Sequence, residues 1–174
     1  DAKTAGFVKV VPAEAQKLAG YQFAKALWLR KTGKLKDAAK VMAEAPQDAA
    51  SLIDPDAWWN ERRILARSLW DAGQTKLAYK TASMHAAQSP TSAAEAEFHA
   101  GWIALRALKD PKLAEAHFTR LLSISTTPQS LSRGYYWLGR SIAASSRDPA
   151  DAYRRAAHYG TTFYGQLAAA KIGA

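Results

Sequence analysis

The side chains that most often carry catalysis are present in this chain, but not at the spacings that catalysis or metal binding requires. None of the four histidines has a His or acidic partner at the spacing of an H-E-x-x-H zinc motif. The chain also lacks a G-x-S-x-G nucleophile elbow, a Gly-rich phosphate loop and any cysteine, which excludes disulfides and cysteine nucleophiles. We therefore predict no catalytic residue, no metal and no cofactor, and expect ordinary helix-face positions for His85, His99, His117 and His158.

The glutamates offer no better candidate for acid–base chemistry. Cleavage of a glycan needs one carboxyl group buried in a cleft with a raised pKa. Glu61, Glu95, Glu97 and Glu115 are all predicted on helix surfaces, near arginines or in first turns. Glu61 directly precedes Arg62 and its neighbouring arginines, so its expected role is ion pairing.

Composition indicates a folded basic protein. The chain has 174 residues, 48% of them hydrophobic, with a net charge of +9, which is enough for one domain or a short repeat array. A basic surface suits nucleic acid, anionic lipid or an acidic polymer such as cell-wall glycan, or it is a solvated surface with no dedicated partner. No stretch is long and apolar enough to span a bilayer, and no nucleic-acid module is recognisable. We therefore predict neither a membrane span nor a nucleic-acid partner.

Helix start signals divide the chain into about nine helices. A capping residue followed by proline occurs at 54–55, 110–111, 127–128 and 148–149, and Ser92 with Glu95 has the spacing of a capping box. The only strand-like alternation lies near Phe7 to Val11. One all-α domain is predicted over 1–174. It comprises a lead-in at 1–11, hairpins at about 12–45, 55–88, 92–123 and 127–159, and a final helix at 161–173.

The second helices of the four hairpins align on one alanine. Ala38, Ala78, Ala114 and Ala152 stand 40, 36 and 38 residues apart. The turns fall five residues earlier, at Gly33, Gly73, Lys109 and Arg147. This arrangement resembles the tetratricopeptide pattern, in which small residues stand where two helices cross. We expect a right-handed α-solenoid of such hairpins, with an irregular helical bundle as the alternative.

In the tetratricopeptide register the first helix of each hairpin lines the inner curve of the solenoid. Arginines with aromatic neighbours on that curve would suit an anionic, sugar-containing polymer or an acidic peptide. For each aromatic the alternative is core packing, and for each arginine it is solvent exposure with intrahelical pairing. The predicted glycan or partner surface consists of Arg30, Arg63, Arg67, Trp70, His99, Arg106 and Trp137.

Four segments in this order resemble the superhelical region of the soluble lytic murein transglycosylases of Gram-negative bacteria. They are WWNERRILAR at 58–67, EAEFHAGWIALR at 95–106, YYWLGR at 135–140 and TFYGQLA at 162–168. The resemblance covers about 46–173. Members of this family cleave peptidoglycan between N-acetylmuramic acid and N-acetylglucosamine and leave 1,6-anhydromuropeptides. Their single catalytic glutamate lies in a Glu-Ser motif followed by Gly-Leu-Met-Gln, and this chain has neither motif.

The resemblance implies a non-catalytic periplasmic domain that positions glycan strands, its own catalytic domain, or both. The lysozyme-like catalytic domain would be expected after residue 174, and Phe163, Tyr164 and Gln166 would contact it. The chain would then be an excised segment or a natural truncation of a longer enzyme, inactive alone, and we expect self-association through the uncovered solenoid end. The alternative function is a stand-alone tetratricopeptide-like scaffold for a protein partner.

Overall fold

The computed structural model describes residues 11–173. This part of the chain consists of helices joined by turns and short loops, and it contains no β-strand. The predicted all-α class and the predicted number of helices are confirmed. The lead-in and its strand-like alternation lie outside the described residues, except for Val11. The nine α-helices of this part are α1 (Ala19–Lys31), α2 (Leu35–Glu44), α3 (Pro55–Asp71), α4 (Thr75–Ser83), α5 (Pro90–Ile103), α6 (Pro111–Ile124), α7 (Pro128–Ala144), α8 (Ala150–Ala157) and α9 (Phe163–Ile172).

The helices form two compact units, divided between Gln88 and Ser89. In unit 1, α1 pairs with α2 and α3 pairs with α4, while α2 also packs on both helices of the second hairpin. In unit 2, α5 pairs with α6, α7 pairs with α8, and α9 packs on both α7 and α8. Packing within each unit is that of a solenoid-like helical bundle. The single superhelical domain predicted over 1–174 stays a prediction.

The aligned alanines lie where the hairpin helices cross. Ala38, Ala78 and Ala114 have no exposed surface, and Ala152 is 5% exposed. Residues nine positions earlier are buried in the first three hairpins, but in the fourth this residue, Ala143, is exposed. The helices of that hairpin make a close approach at Gly139, where an added Cβ would stand 2.6 Å from the Tyr153 ring. The aligned alanine is therefore a core position in all four hairpins, whereas the position nine residues earlier is a core position only in the first three.

Local capping explains most helix starts. The side chains of Asp54, Asp110 and Thr127 each accept a hydrogen bond from the amide three residues later, as predicted. The capping box at Ser92 is wrong, because Ser89 caps α5 and Pro90 is its first residue. The start predicted at 148–149 is one residue early, because α8 begins at Ala150. Asp148 accepts a hydrogen bond from the Ala150 amide rather than from the amide three residues later. The first helix begins at Ala19 rather than near Pro12.

The hairpin turns depend on residues in the left-handed region. Gly33 and Gly73 have φ of +79° and +74°, and Lys109 has φ of +59°, all at predicted turn positions. The fourth turn places Ser146, one residue before the predicted Arg147, in that region. A π-helical turn at Ala104–Leu108 separates α5 from the third turn, and it carries Arg106.

Candidate functional site

Arg30, the first member of the predicted surface, is bound to a carboxylate inside unit 1. Its Nε donates to Glu61 Oε1, and its Nη2 lies 3.2 Å from Glu61 Oε2. Glu61 is 6% exposed, so its predicted surface position is wrong. Its predicted ion pairing is confirmed, with an arginine 31 residues away rather than one of its neighbours. The pair joins α1 to α3, and Arg30 is a structural cation.

Arg63, Arg67 and Trp70 stand at helical spacing on one face of α3. Arg67 is exposed, and the other two are partly exposed and make contacts within the structure. These three residues are the part of the predicted surface in unit 1 that remains accessible.

In unit 2 the predicted surface residues separate into core and surface. Trp137 is 9% exposed and packs on the rings of Phe98 and Phe118 at 6.2 and 6.3 Å. His99 is also 9% exposed, and its Nδ1 lies 2.9 Å from the Glu95 carbonyl oxygen. Both positions correct the prediction that these side chains line a surface: rings from two neighbouring helices cover Trp137, and His99 is buried against its own helix at Glu95 and Phe98. Arg106 is exposed on the π-helical turn.

Three residues at the start of α9 were predicted to contact a further domain. Phe163 is 68% exposed and Gln166 is exposed, whereas Tyr164 packs against the Tyr136 ring at 5.4 Å. Thr162 caps the helix by accepting from the Gly165 amide at 3.0 Å. An exposed aromatic ring therefore stands at the N-terminal end of α9, and its predicted domain contact stays a prediction.

A polar cluster built on the buried carboxylate of Glu97 joins α5 to α6. His117 Nδ1 lies 2.6 Å from Glu97 Oε2, and Arg120 Nε donates to Glu97 Oε1 at 3.0 Å. His117 and Glu97 are 3% and 8% exposed, so the predicted surface position of Glu97 is wrong, and His117 lies on the buried face of α6. Along the chain, His117 and Arg120 lie 20 and 23 residues after Glu97. Their geometry is that of an ion-paired structural cluster in which the carboxylate is held on both oxygens.

The most unusual polar side chain in unit 2 is Arg133 on α7. Its guanidinium carbon lies 4.4 Å from the centroid of the Phe98 ring, a close cation–π contact. Its Nε is buried without a hydrogen-bond partner. None of the hydrogen bonds or ion pairs among residues 11–173 involves this side chain. The fork of donors is thus held against an aromatic face and left without a protein acceptor.

Two adjoining cavities, of about 330 and 250 Å³, share Arg133 and Ser130 in their linings. We call them together the Arg133 groove. The larger cavity is bordered by the N-terminal turns of α5 and α7, and the smaller by the N-terminal turn of α9 with Phe163 and Tyr164. Ser125 Oγ in the larger cavity is also buried without a partner. The other hydroxyl residues of the groove are Thr91, Thr126, Thr127, Ser130, Ser132 and Thr162.

The surroundings of Arg133 have opposing effects on its charged form. Burial lowers the pKa of Arg133, while the nearby Tyr164 and Glu95 raise it. The N-terminal ends of α5 and α7 add positive potential at the larger cavity, and the C-terminal end of α6, at Ile124 and Ser125, adds negative potential there. A cation that has lost water and gained no acceptor is stabilised by an anionic ligand.

Unit 1 contains a second arginine of interest. Arg62 is 1% exposed, and burial lowers its pKa to about 10. Its Nη2 donates to the Met42 carbonyl at 2.7 Å and its Nη1 to the Thr81 carbonyl at 3.4 Å. It also borders a cavity of about 410 Å³ together with Lys36, Lys40 and Lys80.

Sequence reasoning did not identify Arg133, which stands in a polar stretch typical of an exposed helix face. One signal was available. Ser132 and Gly134, which flank it, are buried small residues, and an added Cβ at Gly134 would stand 2.7 Å from Leu121. Small residues on both sides indicate tight helix packing at this level, and therefore that Arg133 is drawn into the interior.

The described residues contain neither a group of metal-ligating side chains nor a membrane-spanning helix. Within 11–173 no group of three or more His, Asp or Glu side chains is arranged to hold a metal ion. Among the described helices none has the length and apolar character needed to cross a membrane. No protein-family model, no curated protein and no solved structure matches this chain.

Proposed function

We propose that this chain is the non-catalytic superhelical domain of a periplasmic peptidoglycan lytic transglycosylase, and that it positions the glycan strand for cleavage elsewhere in the enzyme. The observation that carries the proposal is the Arg133 groove. It combines hydroxyl groups, an arginine without an acceptor in the described part of the chain and the exposed ring of Phe163. Sugars bind through their hydroxyl groups to polar side chains and through their apolar faces to aromatic rings.

Charge supports the same assignment. The chain carries a net charge of +9, and peptidoglycan carries carboxylates on its stem peptides, so long-range attraction favours their encounter. The four segments that resemble the transglycosylase family include Arg63 and Arg67 on α3 and Phe163 at the start of α9. These accessible residues are further candidates for glycan or domain contact.

The first test is co-sedimentation of the full chain with purified sacculi, with the supernatant assayed for anhydromuropeptides. Binding without product is expected. Release of product would overturn the non-catalytic assignment and point to a carboxylate in this chain. Absence of both binding and product would favour the alternative, a tetratricopeptide-like scaffold for a protein partner, which the paired-helix repeat also suits.

A variant separates the accessible arginines from the groove. Replacing Arg63, Arg67 and Arg106 together with Ala removes three positive charges at partly or fully exposed sites. We expect several-fold weaker binding to sacculi at low salt and a circular dichroism spectrum like that of the parent chain. Unchanged sedimentation of this folded variant would remove the predicted arginine surface from the proposal and leave the groove as its basis.

A further inference from the structure

We propose that the Arg133 groove is a carboxylate site, through which the chain recognises the acidic peptide stem of the glycan rather than the sugar backbone alone. This inference rests on the proposed function for its source of carboxylates. Its physical basis is independent of that function: an arginine that has no acceptor among the described residues lies beside a polar cavity.

The donors of Arg133 are held in position for a planar anion. A guanidinium carries five N–H donors in a rigid plane, and a carboxylate accepts two of them side by side. In this structure the guanidinium carbon lies 4.4 Å from the centroid of the Phe98 ring, Nε is buried beneath it, and the two terminal nitrogens have no acceptor among residues 11–173. Holding the side chain in place before binding reduces the entropy that a ligand must overcome.

The larger cavity beside Arg133 has room and polar groups for such a ligand. Its volume of about 330 Å³ accommodates a carboxylate with several attached atoms. Ser125 contributes a buried hydroxyl oxygen without a partner, and Thr91 and Thr126 border the same space. Arg133 and Ser125 therefore line one cavity, and the two terminal nitrogens of Arg133, which have no acceptor among residues 11–173, are the donors that a ligand there would use.

Glu95 makes the site selective among anions. It borders the same cavity and raises the pKa of Arg133, so the net charge of the two side chains is near zero. A small anion gains little there, because its attraction to Arg133 is opposed by repulsion from Glu95. A ligand must add contacts with the hydroxyl groups, which favours a carboxylate carried on a polar peptide over an isolated anion.

The experiment compares two ligands that differ only in charge. Muramyl dipeptide with its free carboxylate and the same compound as its amide are titrated into the full chain by isothermal calorimetry at low salt. We expect the acid to bind about tenfold more tightly than the amide, and chitotetraose, which has no carboxylate, to bind like the amide. Equal affinity for acid and amide in the parent chain would overturn the proposal, without the need for a variant.

Three variants assign the preference to individual side chains. Arg133→Gln should lose the preference for the acid, whereas Arg154→Gln, a matched charge loss on exposed α8, should keep it. Glu95→Gln should tighten binding of the acid by removing repulsion, an effect opposite in sign to that at Arg133. Retention of the preference in a folded Arg133→Gln chain would contradict the assignment to this arginine.

The outcomes also separate this inference from the proposed function. Sedimentation with sacculi without an acid preference would retain the glycan-binding function and reject the carboxylate site. An acid preference without sedimentation would retain the carboxylate site and assign it to a ligand other than peptidoglycan.

Discussion

Each unit of this protein contains an arginine drawn into its interior without a carboxylate partner, and the two differ in where their donors go. Arg62 in unit 1 gives hydrogen bonds to the carbonyls of Met42 and Thr81, in the last turns of α2 and α4. Arg133 in unit 2 gives none to the described protein and lies instead on the Phe98 ring. Burial of a cation therefore does not by itself indicate a ligand site. What matters is whether its N–H groups already have acceptors in the protein.

The electrostatic surroundings support that distinction. The C-terminal ends of two helices present partial negative charge to Arg62, which offsets part of its lost hydration. At the cavity beside Arg133 the N-terminal ends of α5 and α7 present partial positive charge, and the C-terminal end of α6 presents partial negative charge. Unit 1 therefore pairs both terminal nitrogens of its arginine with carbonyl groups and leaves only the buried Nε without a partner, whereas Arg133 in unit 2 has no acceptor among residues 11–173 for any of its nitrogens.

The largest expected effect is on stability, at Arg62. Arg62→Met keeps most of the side-chain volume but leaves two buried carbonyl groups without their donors. We expect a loss of about 3 kcal/mol in the free energy of unfolding, measured by urea denaturation with circular dichroism at 222 nm. Arg67→Met, at an exposed position of the same helix, serves as control and should change it by less than about 0.5 kcal/mol. A similarly small change at Arg62 would show that its hydrogen bonds do not hold α2 and α4 together.

Features that depend on residues close together in the chain were predictable from the sequence. Helix starts at Asp54, Asp110 and Thr127 are of this kind, because a cap and the amide it accepts from are three residues apart. The hairpin turns were predictable for the same reason. Helix α5 could be capped by either Ser89 or Ser92. Pro90, which suits the first helical position, decides in favour of Ser89.

The charged sites were not predictable, because their partners lie far away along the chain. Glu61 has three arginines close in sequence, yet it binds Arg30 from another hairpin. Glu97 is buried by contacts with α6, and Trp137 by rings from α5 and α6. Residue type and helical spacing place such side chains on a helix, but the tilt and depth of the neighbouring helix decide whether they are exposed.

A smaller effect is expected from pH, again at Arg62. Burial lowers its pKa to about 10 in the folded chain, against about 12.5 or higher for an unfolded arginine. The unfolded state therefore binds more protons at alkaline pH, and stability rises with pH. Between pH 8 and 10.5 the stability advantage of the parent chain over Arg62→Met should grow by roughly 0.8 kcal/mol, measured by urea denaturation at both pH values. A constant difference across this interval would mean that burial does not disfavour the charge of Arg62.

The smallest effect is the most informative, because it applies the same substitution to the other arginine. Arg133→Met removes a cation that donates no hydrogen bond to the described protein, and it keeps an apolar contact with Phe98. The lost cation–π attraction and the relieved desolvation oppose each other, so unfolding free energy should change by about 0.5 kcal/mol or less. Urea denaturation of both variants under one condition checks the contrast. A loss at Arg133 as large as that at Arg62 would mean that its donors are engaged in the folded protein. The groove would then be part of the core, and a carboxylate would have no unpaired arginine to bind.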